Sequence, residues 1–364
     1  MTEPYLPIDV VFHPAWWNKN YGLSFDEDFF YDPERRVSQE QRMRQLLFER
    51  FGDLGLGQEN APRRPIVGPI LMGSGYLIQE ILGCGVTYQE DGNPTVVQRD
   101  MSAAEARELQ APENILKMPP MRRLVALMDA LEAEFGYLQG DVPLHSLMNV
   151  GIDLRGQEYF IDLVENPELI AHLHTVISRT IIAVASYVKA RTGSTSISVN
   201  RTIASFDPSI LTLPNCSLQM ISAEMYAEHF LEHDLWMARQ LPPVGFHHCG
   251  DNAHLFAPHY AKAGAVYLDV GCGSGIAACR AALPEAWLGL RLDPVKMLRA
   301  TADEATAAVE KVLIEHGKPW NKVGLCCINM DYGTPDEAIR AMFHTAARYR
   351  GDRPSGTQRA YEVA

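Results

Sequence analysis

Short apolar runs alternate with single helical segments through the second half of this 364-residue chain. The apolar runs cover residues 197–199, 244–249, 266–270, 287–292 and 323–328. Helical patterns lie between the last four of these runs, at about 252–263, 275–283 and 302–316. Continuous apolar strands separated by single helices are typical of a parallel sheet covered by helices. The alternation therefore predicts an α/β fold.

A further strand is predicted at 149–154, and we count about eight strand and helix units over the whole chain. No linker rich in Pro, Gly and Ser divides the chain. We therefore predict a single (β/α)8 barrel of the TIM type with an N-terminal extension, and a doubly wound open sheet is the alternative. The predicted divisions are 1–60 for an N-terminal arm and helix packed on the barrel, 61–350 for the barrel and 351–364 for a polar tail.

The N-terminal segment is rich in aromatic residues, among them Trp16, Trp17 and Tyr21. Two interpretations are open for it: an irregular arm packed on the main body, or an aromatic lid over a pocket.

The charge balance narrows the choice of partners. The formal net charge is -13, and no segment gathers five or six basic residues, so we expect no nucleic-acid or anionic-membrane partner. The chain begins without a basic region followed by an apolar stretch and has no apolar run of about 18 residues, so a cytoplasmic location is expected. The seven cysteines are an odd number scattered along the chain, which favours reduced thiols or metal ligands over disulfides.

His247 and Cys249 are the first candidate site residues. They stand two positions apart at the end of an apolar run. On a β-strand, residues i and i+2 share one face, so the imidazole and the thiol are expected to point the same way. Imidazole and thiolate ligands suit zinc, which binds three or four of them.

Cys326 and Cys327 are the candidates for a third ligand, because they lie near the end of another apolar run. Inward-facing residues of different strands converge at the mouth of a barrel, so either cysteine is able to meet His247. Only one of the two faces inward if the strand is regular.

The pattern His-x-Cys on a strand, followed by a cysteine near the last strand, resembles the zinc methyltransferases of the uroporphyrinogen decarboxylase superfamily. The resemblance spans about residues 60 to 350. It includes three further segments, which are 154–160 with 166–169, 290–295, and 333–339.

The resemblance implies a zinc-dependent enzyme that moves a methyl group between a corrinoid protein and a small thiol, amine or methyl ether, O-demethylation included. It implies His247 and Cys249 as metal ligands, with Cys326 or Cys327 as the third. It also implies that the corrinoid is carried by a partner protein, since no segment resembles a cobalamin-binding domain.

Four other functions compete with this one. True decarboxylases of the superfamily hold substrate carboxylates with an N-terminal Met-Arg-Gln-Ala-Gly-Arg segment, whereas Met43-Arg44-Gln45 continues here into an amphipathic helix. The stretch 268–275 reads like the first motif of S-adenosylmethionine-dependent methyltransferases, but few residues follow it. His229 and His233 form an HxxEH pattern, as in inverted zinc proteases, without a clear third ligand. A barrel retained as a binding module would be favoured if no metal bound at all.

Overall fold

The computed structural model describes residues 6–68, 76–195, 207–320 and 322–349. The strands are β1 (Ile8–Phe12), β2 (Gly85–Thr87), β3 (Thr95–Val97), β4 (Leu211–Pro214), β5 (Val244–His248), β6 (Tyr267–Val270), β7 (Trp287–Leu292) and β8 (Val323–Met330).

Helices make up most of the remaining described chain. They are α1 (Pro14–Tyr21), α2 (Glu27–Tyr31), α3 (Pro33–Phe51), α4 (Leu77–Ile81), α5 (Ala103–Glu108), α6 (Pro119–Phe135), α7 (Leu147–Arg155), α8 (Glu158–Glu165), α9 (Pro167–Thr192), α10 (Ala223–His229), α11 (Leu231–Gln240), α12 (Ala253–Lys262), α13 (Ile276–Ala282), α14 (Pro294–Met297), α15 (Ala302–His316) and α16 (Asp336–Ala346). Short 3-10 turns lie at Gly52–Leu54, Ile115–Lys117 and Ser217–Met220.

Six strands form one parallel sheet in the order β1-β8-β7-β6-β5-β4. Strands β4 to β8 are neighbours in chain order, and the first strand lies beside the last. A doubly wound sheet reverses its strand order at a switch point, so that alternative is wrong. The predicted α/β class is confirmed. The described residues contain these six parallel strands and a separate antiparallel pair, β2 and β3, rather than all eight strands of the predicted barrel.

Two of the predicted strands need comment. The one at 197–199 lies outside the described residues. The one at 149–154 is wrong, because this stretch belongs to helix α7. Its buried residues include Leu147, Val150, Gly151 and Leu154, which recur at helical spacing. A short apolar run does not by itself distinguish a strand from a buried helix.

The two faces of the sheet differ in character. Alternate side chains on one face form an apolar row in register across five strands, which consists of Leu213, Phe246, Leu268, Leu288 and Val323. All of them are at most 2% exposed and pack into the main core beneath the helices. The opposite face carries Tyr267 and Trp287 near the strand starts and charged residues near the strand ends. Polar groups on this second face therefore gather at the carboxyl edge of the sheet.

The N-terminal segment is part of the sheet rather than an irregular arm, because Ile8 pairs with Leu325 in register. Its two tryptophans are core residues, and Tyr21 is partly buried against the same core. Trp16 is 1% exposed and Trp17 fully buried, and Trp16 stacks on Phe12 with ring centroids 4.0 Å apart.

Helix α9 is long and apolar enough to cross a membrane by length and composition, but 61% of its apolar window is buried inside the protein. A core helix has this pattern, and α9 packs against α7, α8 and α11.

Candidate metal centre

The register of β5 and β6 sets His247 beside Asp269. Both side chains are fully buried, and the His247 Nδ1 contacts a carboxylate oxygen of Asp269. The carboxylate fixes the orientation of the ring, so that Nε2 points away from it. That nitrogen lies 2.9 Å from the Sγ of Cys249. The imidazole and the thiol thus converge, as the spacing on the strand predicts.

Cys216 joins this pair, although sequence reasoning missed it. It follows β4 by two residues, and its strand is held to β5 because the Asn215 amide donates to the His247 carbonyl at 2.7 Å. The ligand atoms of Cys216, His247 and Cys249 all lie within 4.8 Å of one another. A signal was present, since the mostly apolar run 210–213 stands three positions before a cysteine. Pro214 and Asn215, which follow that run, make the stretch read as a loop.

The structure separates Cys326 from Cys327. They face opposite sides of β8, as regular strand geometry requires. Cys326 lies on the polar face, where its Sγ is 3.8 Å from the Oδ1 of Asp269. Cys327 belongs to the apolar core, where burial raises the pKa of its thiol. Within the described ranges, the clustered donor atoms are those of Cys216, His247 and Cys249 and include neither Cys326 nor Cys327.

Arg291 is a second residue that sequence reasoning did not select. It extends from β7, and its side chain is 7% exposed. Its Nη1 donates to the Cys249 Sγ at 3.3 Å and lies 3.4 Å from the His247 Nε2. Burial opposes the charge on Arg291, but Asp269 and Cys249 outweigh it and raise the pKa of the guanidinium. A permanent cation therefore lies against the thiol and the imidazole.

Neighbouring charges and hydrogen bonds shift the pKa values of Cys249 and His247 in opposite directions. A hydrogen bond from Cys216 lowers the pKa of Cys249 well below its usual value, against the effect of burial, and His247 and Arg291 add to this. Burial would lower the pKa of His247, but Cys249 and Asp269 raise it to about 9. Cys249 is therefore held as a thiolate, the form of cysteine that binds metals and attacks electrophiles.

A hydrogen-bonded group from outside the sheet lies near the same site. Gln79 donates to the His145 Nδ1 at 2.7 Å and to an oxygen of Asp153 at 2.9 Å. Burial lowers the pKa of His145 to about 4, although the Cys249 charge opposes this. His145 is therefore a neutral imidazole, and its Nδ1 accepts the amide proton.

His248 points to the other side of β5 and takes no part in the centre. Its ring lies 2.9 Å from the Tyr260 hydroxyl and 2.8 Å from the Asn252 side-chain oxygen. Burial lowers the pKa of His248 to about 4.

A cavity of about 640 Å³ opens at the carboxyl ends of β6 and β7. Arg291 lines it together with Asp251, Cys272 and Asp293. The cavity therefore reaches Arg291, whose side chain also contacts Cys249 and His247.

The glycine-rich stretch 268–275 closes β6 and begins α13. The amides at the start of that helix are taken by protein side chains: the Gly275 amide donates to the His254 Nδ1 at 3.2 Å and the Ile276 amide to a Glu315 oxygen at 2.7 Å. These amides are therefore not free to bind a cofactor.

The HxxEH pattern is divided between two helices. Helix α10 ends at His229 and α11 begins at Leu231, so His229 and His233 do not share one continuous helical face.

A parallel α/β fold with a buried His and Cys cluster at the strand ends defines the class of this protein. The model of the family "Uroporphyrinogen decarboxylase (URO-D)" matches residues 70–349. The chain belongs to the uroporphyrinogen decarboxylase family.

Two solved structures are similar to it. A methyltransferase from Methanosarcina mazei matches with a TM-score of 0.66 and 14% identity, covering 96% of this chain and 94% of that one. A B12-independent methionine synthase from Shewanella sp. W3-18-1, in complex with selenomethionine, matches with a TM-score of 0.49 and 10% identity, covering 95% and 98%. No curated protein matches the chain. At 14% identity, the likeness to the Methanosarcina mazei methyltransferase shows the fold.

Proposed function

We propose that this protein is a zinc-dependent methyltransferase that moves a methyl group between a corrinoid protein and a small thiol, amine or methyl ether. The observation that carries the proposal is the convergence of Cys216, His247 and Cys249, backed by Asp269, in a chain of the uroporphyrinogen decarboxylase family. The match to a methyltransferase of the same fold supports it.

The donor set fits zinc. Two sulfurs and one imidazole nitrogen are a set found in catalytic zinc sites, which keep one position open. Donor atoms on one tetrahedral zinc ion, with bonds of about 2.3 Å to sulfur and about 2.0 Å to nitrogen, lie about 3.5–3.8 Å apart. The three donor atoms here lie within 4.8 Å of one another, and His247 Nε2 is 2.9 Å from Cys249 Sγ, so small side-chain adjustments bring all three onto one ion. A carboxylate behind a ligating imidazole, as Asp269 is behind His247, is the usual outer partner of such a site.

Each residue then has a definite task. Asp269 accepts the Nδ1 proton of His247 and keeps Nε2 available as a ligand. Cys249 and Cys216 supply the sulfur ligands. A bound zinc ion would supply Lewis acidity to the heteroatom that gains or loses the methyl group.

The decarboxylase alternative is disfavoured by Arg44, which would have to hold substrate carboxylates. Arg44 is 1% exposed and paired with Glu40 at 2.9 Å inside α3. The S-adenosylmethionine alternative is disfavoured by the strand order and by the occupied amides at the start of α13.

Metal analysis of purified variants tests the site. We expect the wild-type protein to hold one zinc ion and Cys216→Ala, His247→Ala and Cys249→Ala each to lose most of it. Cys327→Ala and Cys279→Ala are the matched controls, because both remove a buried core thiol away from the cluster, and both should keep the ion. Full zinc retention in His247→Ala and Cys249→Ala would refute the site. Loss in Cys326→Ala with retention in Cys216→Ala would move the third ligand to β8.

Methyl transfer is tested separately with methylcobalamin and a panel of small thiols. We expect the protein to demethylate methylcobalamin only when zinc is bound. The reaction is monitored by the change in the visible absorbance of the corrinoid, and we expect Cys249→Ala to abolish it. The zinc-loaded protein is also assayed with reduced cobalamin and methyl ethers or methylamines as methyl donors. Inactivity in this assay and in the thiol assay would contradict the proposed function but not the proposed metal site.

A further inference from the structure

Arg291 occupies a place that packing alone does not explain. It projects from β7 onto the polar face of the sheet, in register with Cys326 on β8. Its Nη1 reaches the Cys249 Sγ at 3.3 Å, and its Nε lies 3.9 Å from the Asp269 Oδ1. The Nε is buried without a hydrogen-bond partner among the described residues. The side chain is thus held by charge, between a thiolate on one side and a carboxylate on the other.

The charge of the centre calls for such a cation. When Cys216 and Cys249 both bind a metal as thiolates, they and the Asp269 carboxylate bring three negative charges into a buried region, and a divalent ion would neutralise two of them. The third would remain as an uncompensated buried charge, which is costly. The guanidinium of Arg291 contacts the centre directly and brings the total to zero.

A hydrogen bond to a thiolate also changes its chemistry. An N–H group that donates to sulfur draws electron density from it, and charge-assisted bonds of this kind are the stronger ones. A thiolate that donates less electron density to its metal ion makes that ion more electrophilic. Hydrogen bonding to the sulfur of a metal ligand is a recognised control of metal-site properties.

We propose that Arg291 is a positioning residue that tunes the metal centre: its Nη1–H···Sγ bond to Cys249 weakens the donation of that thiolate and keeps the bound ion a strong Lewis acid. This inference rests on the proposed zinc site and identifies the residue that adjusts the Lewis acidity of the bound ion. Arg291 acts through Cys249.

Cobalt substitution gives a readout that does not depend on activity. The energy of the thiolate-to-cobalt charge-transfer band in the near ultraviolet reports the electron density on sulfur. In Arg291→Gln we expect stoichiometric cobalt, a band shifted to longer wavelength, and kcat/KM lowered about 10- to 100-fold. Arg291→Lys, which keeps the charge, should fall between wild type and Arg291→Gln.

Arg299→Gln is the matched control, because Arg299 lines the same cavity and its loss changes the net charge equally. We expect it to leave the band unchanged. A wild-type band position in metal-loaded Arg291→Gln would overturn the inference, and so would an equal shift in Arg299→Gln. Failure of the wild-type protein to bind cobalt or zinc would instead overturn the proposed function.

Discussion

At the scale of residues, the loop that carries Cys216 depends on a buried polar network. Asn215 lies 3.4 Å from both the Asp234 carboxylate and the Tyr260 hydroxyl. Asp234 also accepts a hydrogen bond from Tyr226 at 2.6 Å. Because Asn215 directly precedes Cys216 and its amide donates to the His247 carbonyl, the network holds the backbone of two cluster residues in place.

Asp234 gives the stability of the protein a defined pH dependence. Burial raises its pKa from 3.8 to about 7, although the bonds from Tyr226 and Asn215 oppose the shift. Between these values the folded state holds a proton that the unfolded state has lost, so stability falls as the pH rises from about 4 to about 7. The contribution amounts to at most about 4 kcal/mol.

We expect Asp234→Asn to remove this slope, so that the variant gains stability relative to wild type between pH 5 and pH 8. Urea unfolding at both pH values measures the effect, and Glu310→Gln, on the surface of α15, serves as control. Parallel profiles for wild type and Asp234→Asn would show that Asp234 is ionised throughout.

At the scale of elements, the sequence patterns that worked were the local ones. The helix predicted at about 302–316 is α15, which begins with a full capping box at Thr301 and Glu304 and ends at Gly317. The strands from β5 to β8 were found because each is a continuous apolar run. Strand β4, which ends two residues before Cys216, was not found, because it has four residues and ends in a proline. The position of β4 is set by its pairing with β5, and this long-range contact is not visible in the periodicity of the sequence.

The junction of β5 and β6 leaves no room for a side chain at Gly271. A Cβ there would lie 2.1 Å from the Gly250 carbonyl and 2.4 Å from that of His248, and both are backbone atoms that flank Cys249. We therefore expect Gly271→Ala to cost about 3 kcal/mol or more and to lower the metal content.

Gly136→Ala is the control for this substitution. It meets nothing within 4 Å, and its φ of +77° imposes backbone strain alone, so about 1–2 kcal/mol is expected. Thermal unfolding and metal analysis compare the two. Equal losses would show that the β5 and β6 ends adjust freely.

At the scale of the whole molecule, the first strand and the last lie side by side, so the N-terminal segment is tied into the sheet. Phe12 at the end of β1 stacks between Trp16 and Phe51, with centroids 4.0 and 5.9 Å away. Because these rings join β1, α1 and α3, we expect Phe12→Ala to cost about 3–5 kcal/mol. Val97→Ala, at a side chain that is 51% exposed, should change stability by less than about 0.5 kcal/mol. Chemical denaturation checks both, and a near-neutral Phe12→Ala would mean that the segment is only loosely attached.

The class of fold was predictable because strand and helix periods are local, whereas the composition of the centre was only half predictable. His247 and Cys249 are close in sequence and share a strand face by geometry. Cys216 and Arg291 come from other strands, and only the register of the sheet reveals that they meet Cys249. The choice between Cys326 and Cys327 likewise depended on the register of the sheet, which the sequence does not give.

Because two adjacent histidines end β5, metal binding at the centre depends on the correct register of that strand. If β5 slipped by one residue against β6, His248 would come to lie opposite Asp269, and an imidazole would still meet the carboxylate. Cys249 would then turn toward the helices and leave Cys216 without its partner. A misregistered molecule would therefore keep its histidine and carboxylate pair but lose its paired sulfurs, and it would fail to capture a thiophilic ion.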